Sequence, residues 1–131
     1  MKKFIFSLTL CTALVVLLMS AKKDDGVIIK ENGVYVVNTT TLAADVEGYI
    51  GATPLKIYIK KNRIEKIEAL KNQETPKFFA KIKKELLDKW NGKTVKEAQQ
   101  MQVDGVTGAT FSSHAVKENV KRGLEYYQKH K

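Results

Sequence analysis

Residues 4–21 contain no charged side chain, and this run most restricts how the chain can fold. Lys2 and Lys3 precede it, so a basic start leads into an apolar segment, which is the layout of a secretory signal. As a helix the run would measure about 27 Å, close to the roughly 30 Å of a bilayer core. We therefore predict that residues 1–21 are a cleaved signal peptide or a retained anchor in the cytoplasmic membrane. The remaining chain is then extracytoplasmic, in the periplasm or the cell envelope.

Removing this segment from 131 residues leaves 110, which is enough for one domain. Apolar residues make up 44% of the chain, a fraction that is usual for folded proteins and excludes a disordered one. The single cysteine, Cys11, lies in the apolar run and is interpreted as a small hydrophobe, so a disulfide framework is excluded. Since the sequence has two histidines, we predict no metal site.

The formal net charge is +9, and it becomes +7 when the first 21 residues, with two lysines and no acid, are removed. Such a charge favours contact with anionic membrane surfaces, cell-wall polymers or phosphate groups. Nucleic acid would also attract a basic chain, but export argues against it as a partner. The lysines are spread along the chain, which is most typical of a solvated basic surface.

Short β-branched runs predict strands in the first half of the exported chain. Residues 27–29 and 34–37 flank an Asn-Gly pair at 32–33, which is the strongest short hairpin signal. Alternating apolar and polar residues predict a half-buried strand over residues 55–60. Residues 63–70 remain ambiguous. Their apolar side chains recur every three positions, as in a helix, whereas the short length and the preceding turn suit a strand.

Two longer helices, each with one apolar stripe, are predicted in the second half of the chain. The first is expected to begin at Pro76, with Thr75 as its N-cap, and to end at the Asn-Gly pair at residues 91–92. A capping-box pattern predicts a short helix over residues 94–100. The last helix is expected to begin near Ser112 or Ser113 and to end at about residue 128.

These elements predict the α+β class, with a small twisted antiparallel sheet packed by two main helices. A polar joint at residues 38–41 predicts a boundary before the main domain. We therefore divide the chain into a signal peptide or anchor at residues 1–21, a leading hairpin and linker at 22–43, and the main domain at 44–131.

Small polar residues and glycine crowd into one loop, residues 103–114, which read VDGVTGATFSSH. A helix follows, and its first turn offers free backbone N–H groups and a positive dipole end. Gly108 and Ala109 allow a ligand to approach the backbone, and neighbouring hydroxyls can donate to an oxyanion. These residues alone suit either a phosphate site or a simple cap and turn. Neither the P-loop pattern nor Gly-x-Gly-x-x-Gly occurs, so an ATPase or a Rossmann enzyme is not expected.

Residues 104–110, DGVTGAT, resemble the D-x-x-[ST]-G-A-T flavinylation motif of the FMN-binding domain family. This family includes subunits of the Rnf and sodium-pumping quinone reductase complexes and small extracytoplasmic flavoproteins. Lys77 stands where the family's E-T-P segment usually continues with glycine. The resemblance extends over residues 44–128. Its other parts are the Phe-Ser-Ser continuation at 111–113, the Gly-aromatic-x-Gly strand at 48–51, the central hairpin at 55–69 and the E-T-P segment at 74–76.

The resemblance implies that Thr110 is the threonine whose hydroxyl becomes esterified to the FMN phosphate. A separate flavin transferase makes this bond with magnesium, taking the FMN unit from FAD and releasing AMP. Thr110 is then an acceptor side chain, and the chain has no catalytic residue of its own. The further residues that the resemblance places at the cofactor are Asp104, Thr107, Gly108, Ala109, Ser112, Ser113, Glu74 and Thr75.

The phosphate group is expected to meet the hydroxyls of Thr107, Ser112 and Ser113, which can offset its charge. Gly108 and Ala109 are expected to leave room for the phosphate and for the transferase.

Three further features have more than one interpretation. Asp104 is expected to bind backbone N–H groups of the loop, to recruit the transferase, or to form a simple Asx turn. The flavin ring is expected to rest on Phe111, on Tyr49 or on the loop at residues 74–75, and each aromatic is also a candidate for the core. His114 is interpreted as a surface residue of the helix, with a phosphate contact as the alternative.

The resemblance thus predicts an exported flavoprotein that carries FMN, covalently at Thr110, as an electron carrier or reductase component rather than a stand-alone enzyme. The implied partners are the flavin transferase, redox proteins or a quinone-linked membrane complex, and the membrane surface. Two alternatives remain. One is a basic binding module of the cell envelope without flavin, and the other is a protein that binds FMN without a covalent bond.

Overall fold

The computed structural model describes residues 26–131, so the predictions for residues 1–21 lie outside the described residues. Within the described part, four strands form one antiparallel sheet in chain order. The strands are β1 (Ile28–Glu31), β2 (Val34–Asn38), β3 (Leu55–Lys60) and β4 (Arg63–Ala69). The helices are α1 (Pro76–Glu85), α2 (Val95–Gln100) and α3 (Thr110–His130), with a 3-10 helix (Leu87–Trp90) after α1. The predicted α+β class and antiparallel sheet are confirmed.

The two tight turns of the sheet are made by residues with positive φ. Asn32 (φ 51°) and Gly33 (φ 80°) turn β1 into β2, which confirms the predicted hairpin. Lys61 (φ 52°) and Asn62 (φ 61°) do the same between β3 and β4. Strand β2 pairs with β3 along its whole length, so the leading hairpin and the domain that follows residue 44 share one sheet.

A β-bulge in β4 explains why residues 63–70 were ambiguous in sequence. Ile64 pairs with Ile59, and Ile67 pairs with Ile57, so Glu65 is an extra residue in the ladder. The bulge places two residues three positions apart on the same buried face. The helix-like spacing is therefore the mark of an irregular strand.

The first helix is shorter than predicted. It begins at Pro76 as expected, but it ends at Glu85, and residues 87–90 form a 3-10 turn. A 3-10 turn aligns side chains three residues apart, and this alignment buries both Leu87 and Trp90. The short helix α2 is confirmed, with the reciprocal capping box between Thr94 and Glu97.

Helix α3 lies against β2 and β3, while α1 and α2 contact α3. A buried polar link fixes the position of α3: the Thr39 hydroxyl donates to Asn119 Oδ1 at 2.5 Å and accepts from the Leu55 N–H at 2.9 Å. Asn119 Nδ2 also donates to the Ala115 carbonyl at 2.8 Å. No helix within residues 26–131 has the length and apolar character needed to cross a bilayer.

Replacing Gly123 by alanine is expected to destabilise the domain, although alanine normally favours a helix over glycine by about 1 kcal/mol. A Cβ at this position would lie 2.6 Å from Ile57 Cδ1 and 3.1 Å from Thr39 Cγ2. Overpacking of this kind costs about 1–3 kcal/mol, so the clash outweighs the propensity. Urea unfolding of the two proteins measures the difference in their free energies of unfolding. A more stable variant would show that the side chains of the sheet adjust to make room for the Cβ.

Candidate functional site

The Glu74 carboxylate joins two segments that are far apart in sequence. Its Oε1 accepts hydrogen bonds from the Tyr49 N–H at 2.6 Å and from the Ser112 hydroxyl at 2.6 Å. Its Oε2 accepts from the Ile50 N–H at 2.7 Å and from the Gly51 N–H at 3.2 Å. Because Glu74 is only 4% exposed, these four donors replace the water that an ionised carboxylate requires. The turn at residues 48–51 is thereby attached to the first turn of α3.

Glu74 remains ionised in this position. Burial by itself would raise its pKa, but the hydrogen bonds from the Ser112 hydroxyl and from the backbone N–H groups of residues 49–51 stabilise the charged form. The net result is that the pKa of Glu74 is lowered below its ordinary value. A fixed negative charge therefore lies beneath the start of α3.

Gly48 is required by this arrangement. The turn closes with a hydrogen bond from the Gly48 N–H to the Gly51 carbonyl at 2.8 Å. A Cβ on Gly48 would overlap Glu74 Oε1 and would approach the Ser112 Cα to 3.3 Å. Glycine alone lets the turn, the carboxylate and the helix meet.

The loop before α3 is held by the helix that follows it. The Ser113 hydroxyl accepts from the Val106 N–H at 2.9 Å, and Lys117 Nζ donates to the Val103 carbonyl at 3.0 Å. Gly108 adopts φ +86°, which glycine accommodates without strain. The chain then enters α3 at Thr110.

The predicted start of α3 at Ser112 or Ser113 is therefore wrong by two or three residues. Both serines lie inside the first turn, and both are buried. Their hydroxyls do not cap the helix, because one donates to Glu74 and the other holds Val106. Ala109 occupies the cap position and provides no side-chain hydrogen bond, so no side chain caps the first N–H groups of α3.

Thr110 is exposed and lines a cleft of about 380 Å³, which is in the range of small-molecule sites, about 300–1,000 Å³. Three aromatic side chains surround it and remain exposed to solvent: Tyr49 (71%), Phe111 (65%) and Phe78 (42%). The ring centroids of Tyr49 and Phe111 are 6.2 Å apart. Clustered exposed aromatics of this kind mark a ligand or partner site. The full lining is Tyr49, Thr75, Phe78, Gly108, Ala109, Thr110, Phe111 and Ser112.

The domain that carries this cleft matches a known protein family. A family model described as an FMN-binding domain matches residues 48–125, which is more than half of the chain. The chain belongs to the FMN-binding domain family. Searches of curated proteins and of solved structures found no match. The predicted resemblance is confirmed, and FMN is the ligand that the family binds.

The cleft of this FMN-binding domain suits both ends of its ligand. The exposed aromatic faces offer an apolar surface for a flavin ring. The uncapped N-terminus of α3 offers backbone N–H groups and the positive end of a helix dipole to a phosphate. The Thr110 hydroxyl lies at the junction of these two regions, because it belongs to the first residue of the helix and also lines the cleft.

The structure brings five of the nine predicted site residues of the FMN-binding domain to this cleft. These are Thr75, Gly108, Ala109, Thr110 and Ser112. Glu74 lies directly behind them, where its carboxylate fixes Ser112.

The remaining predicted residues lie elsewhere. Thr107 and Asp104 line a neighbouring cleft of about 270 Å³, and the buried Ser113 hydroxyl faces the loop rather than a ligand. Within the described residues the Asp104 carboxylate accepts no hydrogen bond, and the loop is held by Ser113 and Lys117. Recruitment of the transferase by Asp104 stays a prediction. His114 is exposed and lines a different groove.

Two features of the site were missed in the sequence. Phe78 is not among the predicted site residues, but it lines the cleft. Its position next to the buried Phe79 was the available signal: consecutive side chains of a helix point about 100° apart, so with Phe79 in the core, Phe78 points toward the edge of the helix. The link between Glu74 and the turn at 48–51 left no local signal, because it joins residues 23 to 25 positions apart.

Proposed function

We propose that this protein is an exported electron carrier whose FMN is bound to Thr110 through a phosphoester. One observation supports the proposal above all. The threonine that matches the flavinylation motif is exposed, begins an uncapped helix and lines a cleft with three exposed aromatic rings. A threonine that served only as a helix cap would need no aromatic cleft beside it.

In the proposed attachment, a new P–O bond forms between Thr110 Oγ and the FMN phosphorus of FAD. The pyrophosphate bond of FAD breaks, AMP leaves, and the hydroxyl proton passes to solvent. A separate transferase with magnesium supplies the catalysis, because the described chain places no general base against Thr110. The exposure of the hydroxyl and the φ of Gly108 favour access by such an enzyme.

Once bound, FMN supplies the redox chemistry, and the chain holds and orients it. Tyr49, Phe78 and Phe111 are proposed to contact the ring, while the N-terminus of α3 stabilises the phosphate. A covalent bond suits an extracytoplasmic carrier, since flavin lost there could not be recovered. Redox proteins or a quinone-linked complex at the membrane would give and take the electrons.

Thr110→Ala is expected to abolish covalent flavin completely, because it removes the hydroxyl that is proposed to form the ester. The protein is produced with a flavin transferase, and the intact mass and the fluorescence after denaturing electrophoresis are measured. Thr41→Ala is the matched control: it removes an exposed threonine from the turn after β2 and should leave the label unchanged.

A mass gain of one FMN ester, mapped to Thr110 and absent from Thr110→Ala, is the expected result. An unmodified protein, made beside a transferase that labels another target, would contradict the covalent bond. Titration with free FMN then separates the two alternatives. Saturable binding that Phe111→Ala weakens would indicate a non-covalent flavoprotein, and no binding would favour a basic module of the cell envelope.

A further inference from the structure

Positive charge is concentrated in one segment of the described chain. Residues 71–93 contain seven lysines and three acidic residues, a net charge of +4. The whole of residues 26–131 carries +7, from nineteen basic and twelve acidic residues. One of the three acids, Glu74, is buried and already bonded. More than half of the net charge therefore lies on 23 residues around α1.

The lysines of α1 form a stripe on its outer face. Lys77, Lys81 and Lys84 follow each other at spacings of four and three, so they lie on one side of the helix. The buried residues Phe79 and Ile82 lie on the opposite side. Among the described residues, the cations of the ion pairs are Lys66 and Arg122, so the stripe is free of ion pairs. Its charge is available to a partner.

This stripe adjoins the proposed flavin cleft. Helix α1 contributes Phe78 to the lining of that cleft. Lys81 and Lys89 line the neighbouring cleft together with Thr107, and the next residue, Gly108, already belongs to the flavin cleft. The lysines thus border the place where the redox group would be held.

We propose that the outer face of α1, defined by Lys77, Lys81 and Lys84, is the docking surface for an acidic protein that exchanges electrons with the FMN. The proposal rests on the electron-carrier function proposed above. Complementary charge of this kind speeds association and orients the partner with its redox centre toward the cleft.

The shape around α1 favours a protein over a membrane as the occupant. Helix α1 lies between two clefts. The one of about 270 Å³ is lined by Lys81 and Lys89 but also by Glu85 and Asp104, whereas the exposed charged residues that line the other, of about 330 Å³, are Lys71 and Lys83. Carboxylate side chains of a protein can enter the second cleft, whereas the headgroup plane of a bilayer would contact only the outer face of the helix.

The test uses succinylated cytochrome c as an acidic probe and native, basic cytochrome c as its matched control. In the reaction, reduced FMN gives one electron to each of two ferric haems and releases its protons to water. The variant Lys77→Ala/Lys81→Ala/Lys84→Ala is compared with Lys60→Ala/Lys96→Ala/Lys129→Ala. The second variant loses the same charge from exposed positions outside residues 71–93.

We expect the α1 variant to reduce the acidic probe about tenfold more slowly at low salt, and the control variant to stay within about twofold of the parent. Native, basic cytochrome c should be reduced more slowly than the acidic probe, and the α1 variant should reduce it at the same rate as the parent protein. Binding of the acidic probe is also measured by NMR on protein without flavin, where shifts should be confined to α1 and its flanks. This second measurement holds even when covalent flavin attachment fails, so the two proposals fail separately.

Equal losses for both variants would overturn the proposal, because net charge alone would then explain the rate. Shifts distributed over all exposed lysines would do the same. Vesicles of phosphatidylcholine and phosphatidylglycerol provide the other outcome. Binding to vesicles that only the α1 variant loses, with no effect on the acidic probe, would assign this face to the membrane instead.

Discussion

Glu74→Ala is expected to lower the free energy of unfolding by about 3 kcal/mol. The substitution removes the acceptor of the Ser112 hydroxyl and of the N–H groups of residues 49–51. Water can reach some of these donors, which keeps the loss below the sum of four separate hydrogen bonds. Urea unfolding measures the change. Glu85→Ala, an exposed acid on α1, is the control and should stay within about 0.5 kcal/mol of the parent.

Glu74→Gln removes the negative charge of this side chain and nearly keeps its size and shape. Because the pKa of Glu74 is lowered in the folded state, the unfolded chain binds a proton more readily as the pH falls. The stabilisation by Glu74 is therefore complete above the ordinary glutamate pKa, and it is lost as the pH falls through the lowered folded value. The glutamine variant should be less stable at neutral pH and should approach the parent in acid.

The same variant also tests the role of Glu74 at the cofactor. If the carboxylate positions Tyr49 and the start of α3, Glu74→Gln should slow the attachment of FMN under conditions where the variant is folded. Both expectations would be contradicted if the stability of the variant depended on pH as that of the parent does, and if FMN were attached to both proteins at the same rate. Such a result would mean that the carboxylate is dispensable for the fold and for the site.

Gly48→Ala is expected to disrupt the same link from the other side, with a loss of about 2–3 kcal/mol. The new Cβ would overlap Glu74 Oε1, and the carboxylate cannot turn away without leaving its four donors. The backbone of Ser112, 3.3 Å from the Cβ, limits movement in the other direction. Unfolding in urea and the yield of covalent FMN are the two measurements.

Gly51→Ala is the matched control for this variant, since it lies in the same turn. Its Cβ would meet only Gln73 Oε1, at an ordinary distance of 3.8 Å. Its effect should therefore remain within about 0.5 kcal/mol. Equal losses for the two glycines would show that the turn needs flexibility in general, rather than space beside Glu74.

The sequence predicted the elements that depend on local patterns. The Asn-Gly hairpin, the alternating strand β3 and the capping box of α2 all agree with the structure. The flavinylation motif identified the family and the loop that carries Thr110. In each case the signal lies within a few consecutive residues, so tertiary contacts did not overrule it.

The errors arose where distant contacts decide the structure. Ser112 and Ser113 carried a cap pattern, but Glu74 and Val106 take their hydroxyls. The bulge at Glu65 gave β4 the spacing of a helix, which is why the prediction for residues 63–70 stayed open rather than wrong. The apolar stripe beyond Glu85 continues in a 3-10 turn, because Leu87 and Trp90 are both needed in the core. None of these choices follows from the neighbouring residues alone.

The link through Glu74 also determines when the site is assembled. It joins a turn that lies 25 positions before it to a serine 38 positions after it. The aromatic cleft therefore requires that the last helix has already docked on the sheet. An unfolded chain would present the motif without the cleft. In the proposed function, where the chain is exported and then carries covalent FMN, we therefore expect the cofactor to be attached only after the exported chain has folded.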